Sequence, residues 1–143
     1  MLLFDVNVLL YALRPQFPHH ERSVAYLEAV INGAEPYAMC NEVLASVIRI
    51  ATNPRMLEDP NTLDEAIAFA MSLVRRSTCI RVSPGPRHWE LFLDLCRQAK
   101  AKANVVPDAW LAAMAIENGC ELITTDHGFA RFPTLRWCDP FET

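Results

Sequence analysis

Four stretches of this chain are apolar almost throughout, and each holds a single carboxylate. They are residues 1–13 with Asp5, 36–48 with Glu42, 103–116 with Asp108 and 122–130 with Asp126. A carboxylate in apolar surroundings is costly unless a positive charge or a cation meets it. No Lys or Arg occurs between Lys102 and Arg131, so around Asp108 and Asp126 the missing charge must come from elsewhere in the fold or from a bound ion. Any fold open to this chain has to bury the apolar stretches and still leave each acid an outlet.

The hydrophobic pattern shows how. Leu2 to Phe4 is a wholly apolar run of the kind buried in a parallel sheet, with Asp5 at its carboxyl end and a helix-like run from Val8 to Leu13 after it. His19 to Ile31 predicts an amphipathic helix with Val24, Leu27 and Ile31 on one face, closed at Gly33. Tyr37 to Met39 reads as a second strand. Asn41 is then expected to cap a helix running to about Thr52, with Glu42 in its first turn and Asn53-Pro54 as the stop. Residues 58–65 read as an acidic loop. Thr62 and Glu65 have capping-box spacing, and Leu63, Ile67, Ala70 and Val74 are the expected apolar face of the next helix. Cys79 to Val82 is a strand candidate. After the turn 83–86, a helix is expected from Arg87 to Lys102 with Trp89, Phe92, Leu93 and Cys96 inward.

The run Val105 to Asn118 is apolar on every side, which predicts a helix buried all round, with Pro107 at its first position, Asp108 in its first turn and Gly119 just past its end. Glu121 to Thr125 is β-prone, and Asp126 is expected where that strand stops. Leu135 to Cys138 reads as a final edge strand.

Strands alternating with helices imply a three-layer α/β/α fold, with a mainly parallel sheet of four to five strands and helices on both faces, in one domain spanning 1–143. No apolar stretch reaches 18 residues, so no membrane span is expected. Five cysteines without CxxC spacing read as core thiols in a reducing, cytoplasmic setting. A net charge of −4 announces no global basic field, although a local basic rim can still hold a nucleic-acid backbone.

In such folds the ligand site lies off the carboxyl ends of the strands. Asp5 and Asp126 end two strands, and Glu42 and Asp108 begin two helices, so all four belong to one rim. Oxygen ligands without thiolate or imidazole suit a hard cation, Mg²⁺ or Mn²⁺. With such ions a carboxylate cluster supports phosphodiester hydrolysis without a side-chain nucleophile. Asn7, Thr124 and Thr125 are placed to orient the ligands. A haloacid-dehalogenase-type phosphatase also begins strand–Asp, but its second Asp is Asn7 here. A catalytically silent domain that only binds RNA or protein is the alternative from a different class.

These residues resemble the PIN-domain ribonucleases and, within them, the VapC toxins of bacterial toxin–antitoxin pairs. The likeness rests on Asp5-Val-Asn7, Glu42 at a helix start, Val106-Pro-Asp108 opening a buried helix, and Thr124-Thr-Asp126-His-Gly-Phe129, with residues 52–55 and 84–92 similar to one branch of these toxins. It implies a 3-2-1-4-5 sheet, Mg²⁺- or Mn²⁺-dependent RNA cleavage through Asp5, Glu42, Asp108 and Asp126, a homodimer, and a VapB-like antitoxin that neutralises the enzyme. Two positions depart from the pattern: Asn41 stands where Ser or Thr is frequent, and Gly128 where a polar or acidic residue is common. An antitoxin is expected to place a basic side chain among the acids and an amphipathic segment in a groove beside the Val8–Leu13 and Glu42–Thr52 helices. His19, His20 and His127 read as surface residues. Arg49, Arg55, Arg75, Arg76 and Arg81 read as exposed charges, some of them candidates for phosphate contacts.

Overall fold

A computed structural model describes residues 1–142. In chain order the elements are β1 (Leu2–Phe4), α1 (Val6–Leu13), α2 (His20–Ile31), β2 (Tyr37–Cys40), α3 (Asn41–Ala51), α4 (Leu63–Val74), β3 (Cys79–Val82), α5 (His88–Ala99), α6 (Val105–Glu117), β4 (Glu121–Ile123), a 3-10 turn (His127–Arg131) and β5 (Trp137–Cys138). The five strands form one sheet in the order β3-β2-β1-β4-β5, and every neighbouring pair is parallel. Consecutive strand residues point to opposite faces. Leu3 and Phe4, Tyr37 through Cys40, and Leu122 and Ile123 are all fully buried, so both faces of the central strands are covered by helices.

This topology positions the site. From β1 the chain builds outward first to β2 and β3 on one side, then to β4 and β5 on the other. The carboxyl ends of β1, β2 and β4 therefore meet at the point where the strand order reverses. Asp5 follows β1 directly, Glu42 is the second residue of the helix that follows β2, and Asp126 lies three residues beyond β4. Asp108 joins them from the first turn of α6, whose Ala109 and Leu111 to Ala115 are buried. Gly119, at φ +66°, turns the chain from α6 into β4 in a left-handed conformation that a side chain would strain.

Several local expectations are corrected. The cap of α3 is Cys40, in extended conformation, and Asn41 is already helical; its side-chain oxygen accepts a hydrogen bond from Arg81 on edge strand β3. The capping box of Thr62 and Glu65 forms, but α4 buries Ala66, Ala70 and Leu73 and leaves Leu63 and Ile67 exposed. Two alanines weigh little in a hydrophobic pattern, yet their small size lets α4 settle close to the sheet. In α5, His88 is buried and Trp89 is 55% exposed. The His88 ring packs edge-on against Trp110 at 4.3 Å, and its Nε2 donates to the Trp110 carbonyl at 3.0 Å, which fixes the rotation of the helix. The same helix ends at Ala99, short of Lys102, because Lys100 takes a left-handed conformation at φ 49°.

Depressions lie beside both the first and the third helix, where a groove is expected, while Val8, Leu9, Val43 and Val47 of α1 and α3 are buried at the core. One lies among Ala12, Leu27, Phe69 and Leu73 of α1, α2 and α4, and the other lies between α3 and α6. No helix among the described residues is long and apolar enough to cross a membrane.

One buried polar contact ties α4 to the sheet: the Tyr37 hydroxyl donates to the Leu73 carbonyl at 2.6 Å. Tyr37→Phe leaves that carbonyl unpartnered and is expected to cost about 1–3 kcal/mol. Urea unfolding checks it, with a lower midpoint at unchanged slope as the expected result.

Candidate active site at the carboxyl ends of the strands

Asp5 sits where β1 gives way to α1, and its extended backbone makes it the helix cap. One oxygen, Oδ1, accepts from the Val6 amide at 2.7 Å, and Oδ2 accepts from the Thr124 hydroxyl at 2.7 Å. Asn7 closes the arrangement. Its amide donates to Thr124 Oγ1 at 3.2 Å and to Asp5 Oδ2 at 3.4 Å, while its carbonyl accepts from the Thr125 amide at 3.3 Å. Thr124, fully buried, also accepts from the Asp126 amide at 3.0 Å. Asn7, Thr124 and Thr125 therefore form a lattice that holds Asp5 and the backbone of Asp126. An amide in the place of Asn7 has no proton to transfer, so the acid/base pair of the phosphatase alternative is missing.

A cleft of about 290 Å³ opens between α3 and α6. Asp5, Glu42 and Asp108 line it, together with Cys40, Trp110 and Met114. Asp126 caps the 3-10 turn, its Oδ1 accepting from the Gly128 amide at 2.8 Å, and stands beside the cleft rather than in its wall. The Glu121–Thr125 strand stops at Ile123, although the Thr124 amide still reaches the Cys138 carbonyl at 3.0 Å. Among the described residues, no three of these four carboxylates bring their oxygens mutually within 4.8 Å, so they ring an opening rather than close on a point.

Their electrostatics is that of a crowded negative site. Burial raises the pKa of Asp108 to about 6, with the charges of Asp126 and Asp5 adding to the rise and Arg131 opposing it. Burial also raises Asp5, against the stabilising hydrogen bonds of Thr124 and Val6, and the Asp126 charge raises it further. At the cleft wall, burial and then the nearby Glu42 and Asp5 push the Cys40 thiol up to about 11, which keeps it neutral.

Sequence reasoning passed over two residues here. Cys40 looked like an ordinary core thiol. Arg131 looked like a boundary, although its placement three residues after the glycine at 128 was a signal: a Cβ on Gly128 would lie 2.9 Å from Asp126 Oδ1 and 3.1 Å from Arg131 Nη2. The surface histidines lie apart from the acids. His127 is engaged with Asp139 at 3.0 Å and Glu142 at 3.1 Å, His19 stacks on Phe141 at 5.0 Å, and His20 Nδ1 donates to the Tyr11 carbonyl at 2.7 Å. Arg49, Arg55, Arg75 and Arg76 are exposed.

Residues 2–135 match the model of the PIN domain. The chain is 39% identical over 142 residues to ribonuclease VapC43 of Mycobacterium tuberculosis, covering 99% of this chain and 97% of that one. It is 37% identical over 140 residues to ribonuclease VapC31 of the same species, covering 98% and 99%. The chain belongs to the PIN-domain family, among its VapC ribonucleases. VapBC2 from Rickettsia felis, solved bound to a promoter DNA fragment, superposes with a TM-score of 0.69 over 96% of both chains at 16% identity, so the PIN fold is kept where little sequence is.

The raised acids of this PIN domain set its stability without metal. A carboxyl whose folded pKa exceeds the unfolded value near 3.9 stabilises the fold fully below that value, and the contribution is lost as pH rises through the folded pKa. For Asp108 the window runs from about pH 4 to about 6. Thermal melting in chelator should give a higher midpoint at pH 5 than at pH 7.5. Asp108→Asn should narrow that difference and raise the midpoint at pH 7.5.

Proposed function

We propose that this chain is a metal-dependent endoribonuclease toxin that hydrolyses RNA phosphodiester bonds and is neutralised by a cognate VapB-like antitoxin. The observation that carries the reading is the set of four carboxylates from separate elements at the strand-order switch, with Asp5 held by Thr124 and Asn7. VapC43 and VapC31 are named ribonucleases, and VapBC2 of Rickettsia felis is a complex, which places this chain in matching company.

The donor set fits a hard divalent cation. Asp5, Glu42, Asp108 and Asp126 offer carboxylate oxygens, with no imidazole lining the cleft, and the one thiol there is pushed toward its neutral form. Asp108 and Asp5 are raised first by burial and then by neighbouring carboxylate charge, a combined penalty that a bound cation would relieve. Mg²⁺ or Mn²⁺ would be held by these four, and when bound it supplies an activated water and charge stabilisation for the phosphate.

The chain's own residues do the rest. Thr124 and Asn7 hold Oδ2 of Asp5 while Oδ1 stays on the Val6 amide, so the carboxylate that lines the cleft is fixed in orientation. Thr124 and Thr125 hold the turn that carries Asp126. Asp108 must be ionised to serve as a ligand, so activity should rise with pH through about 6.

An antitoxin segment lying in the apolar cleft between α3 and α6 would bring a Lys or Arg directly onto the acids. Homodimerisation and a cytoplasmic location, where RNA and the antitoxin are met, belong to the same reading.

With a labelled RNA, cleavage is expected in Mg²⁺ or Mn²⁺, none in EDTA, and recovery when metal is restored. Asp5→Asn should abolish cleavage with the fold intact, and Thr124→Val should lower it by about 10–100-fold, as removal of a ligand's supporting partner does. Full activity in excess chelator would sink the metal mechanism. RNA binding without turnover would move the chain to the silent binding domain. Expression of the chain alone should arrest growth, with relief by Asp5→Asn or by the co-expressed product of the gene immediately upstream.

A further inference from the structure

The acids face one cation that the reaction scheme above leaves unused. Arg131 ends the 3-10 turn that Asp126 begins, and it is exposed. Its guanidinium folds back over the turn: Nη2 lies 3.1 Å from the point where a Cβ of residue 128 would stand, and Asp126 Oδ1 lies 2.9 Å from the same point. Glycine at 128 therefore leaves room for the guanidinium beside the Asp126 carboxylate. Yet Arg131 forms no ion pair within 4.0 Å with any carboxylate among the described residues.

An arginine whose task was to neutralise Asp126 would close onto it. This one stops short, with its planar fork of donors next to Asp126, beside the cleft that Asp5, Glu42 and Asp108 line. A phosphodiester approaching four carboxylates is repelled by them, and the ions they hold offset only part of that charge. Guanidinium meets phosphate oxygens bidentately, where an ammonium acts as a point charge. Resting on the ribonuclease reading, we propose that Arg131 grips the non-bridging oxygens of the RNA phosphate presented to the carboxylates.

The test compares Arg131→Gln and Arg131→Lys with the wild type. RNA cleavage is measured in each, and anisotropy of a labelled RNA oligonucleotide is measured in the Asp5→Asn background, which holds RNA uncleaved. Arg131→Gln is expected to weaken RNA binding by about 10–100-fold, as loss of a charged hydrogen bond does. It should also reduce the slope of log affinity against log salt by about 0.7, one phosphate contact on a single strand. Arg131→Lys should restore the slope and only part of the rate. Mn²⁺ affinity, read by calorimetry, should not fall in Arg131→Gln.

Wild-type affinity and salt slope in Arg131→Gln would overturn the assignment. So would a loss of cleavage that follows weakened Mn²⁺ binding at unchanged RNA affinity, because Arg131 would then act through the carboxylates. A wild type that binds RNA but never cleaves it overturns the ribonuclease reading instead, and the binding arm still judges Arg131.

Discussion

The hydrogen bond from the Thr124 hydroxyl to Asp5 Oδ2 joins the ends of the two central strands, β1 and β4, which are 119 residues apart in the chain. Everything at the rim is referred to it. Thr124 has no exposure to solvent, so its hydroxyl is committed: it donates to Asp5 and accepts from Asn7 and from the Asp126 amide. A carboxylate held in this way keeps one face toward the cleft without spending side-chain freedom when a ligand arrives. The contact also sets a direction of dependence. Asp5 and Asp126 keep their relation only while β1 and β4 stay in register, with Leu2 opposite Glu121 and Phe4 opposite Ile123.

Parallel pairing creates that relation, and it also creates the electrostatic conflict. Parallel strands put all their carboxyl ends on one edge, so acids that follow different strands are brought near each other whatever their separation in sequence. Burial then raises Asp5 and Asp108, and the charge of Asp126 adds a further penalty on ionisation to both, with Asp5 adding its own at Asp108. A sheet edge chosen for stability alone would not gather several carboxylates, even capping ones such as Asp5 and Asp126, within range of one another's charge. The rim instead concentrates like charge and leaves its relief to a cation from solution and to a guanidinium that stands off from the acids.

How much of this could be read from the chain depended on how one-sided each stretch was. β1, β2 and α6 were legible because nearly every side chain is apolar, which leaves a lone carboxylate conspicuous and the period irrelevant. α4 and α5 were legible as helices but not in rotation. Their phases rest on Ala66, Ala70 and a buried His88, whose weight comes from close approach and from the Trp110 carbonyl rather than from hydrophobicity. Asp126 was placed at a strand end when it caps a turn, since Thr124 and Thr125 look like strand residues while their hydroxyl and amide serve Asp5 and Asn7. Arg131 was signalled only by the glycine three residues before it, because its position depends on the path of a short 3-10 turn that no periodic pattern encodes.

The conflict at the rim is tolerated because the stabilising contacts lie elsewhere. Leu3, Phe4, Met39, Leu122 and Ile123 are fully buried at the centre of the sheet, and Ala112 to Ala115 pack α6 in the core with no charge among them. Removing the charge of one rim carboxylate subtracts a repulsion and opens no cavity, so the core is untouched while the site loses a ligand. The same separation explains why a domain can keep this architecture at 16% identity to a solved relative while its chemistry rests on a few side chains at one edge. The apolar strands and α6 specify the scaffold, whereas the acids and the residues that hold them draw on that stability and give none back until a cation is bound.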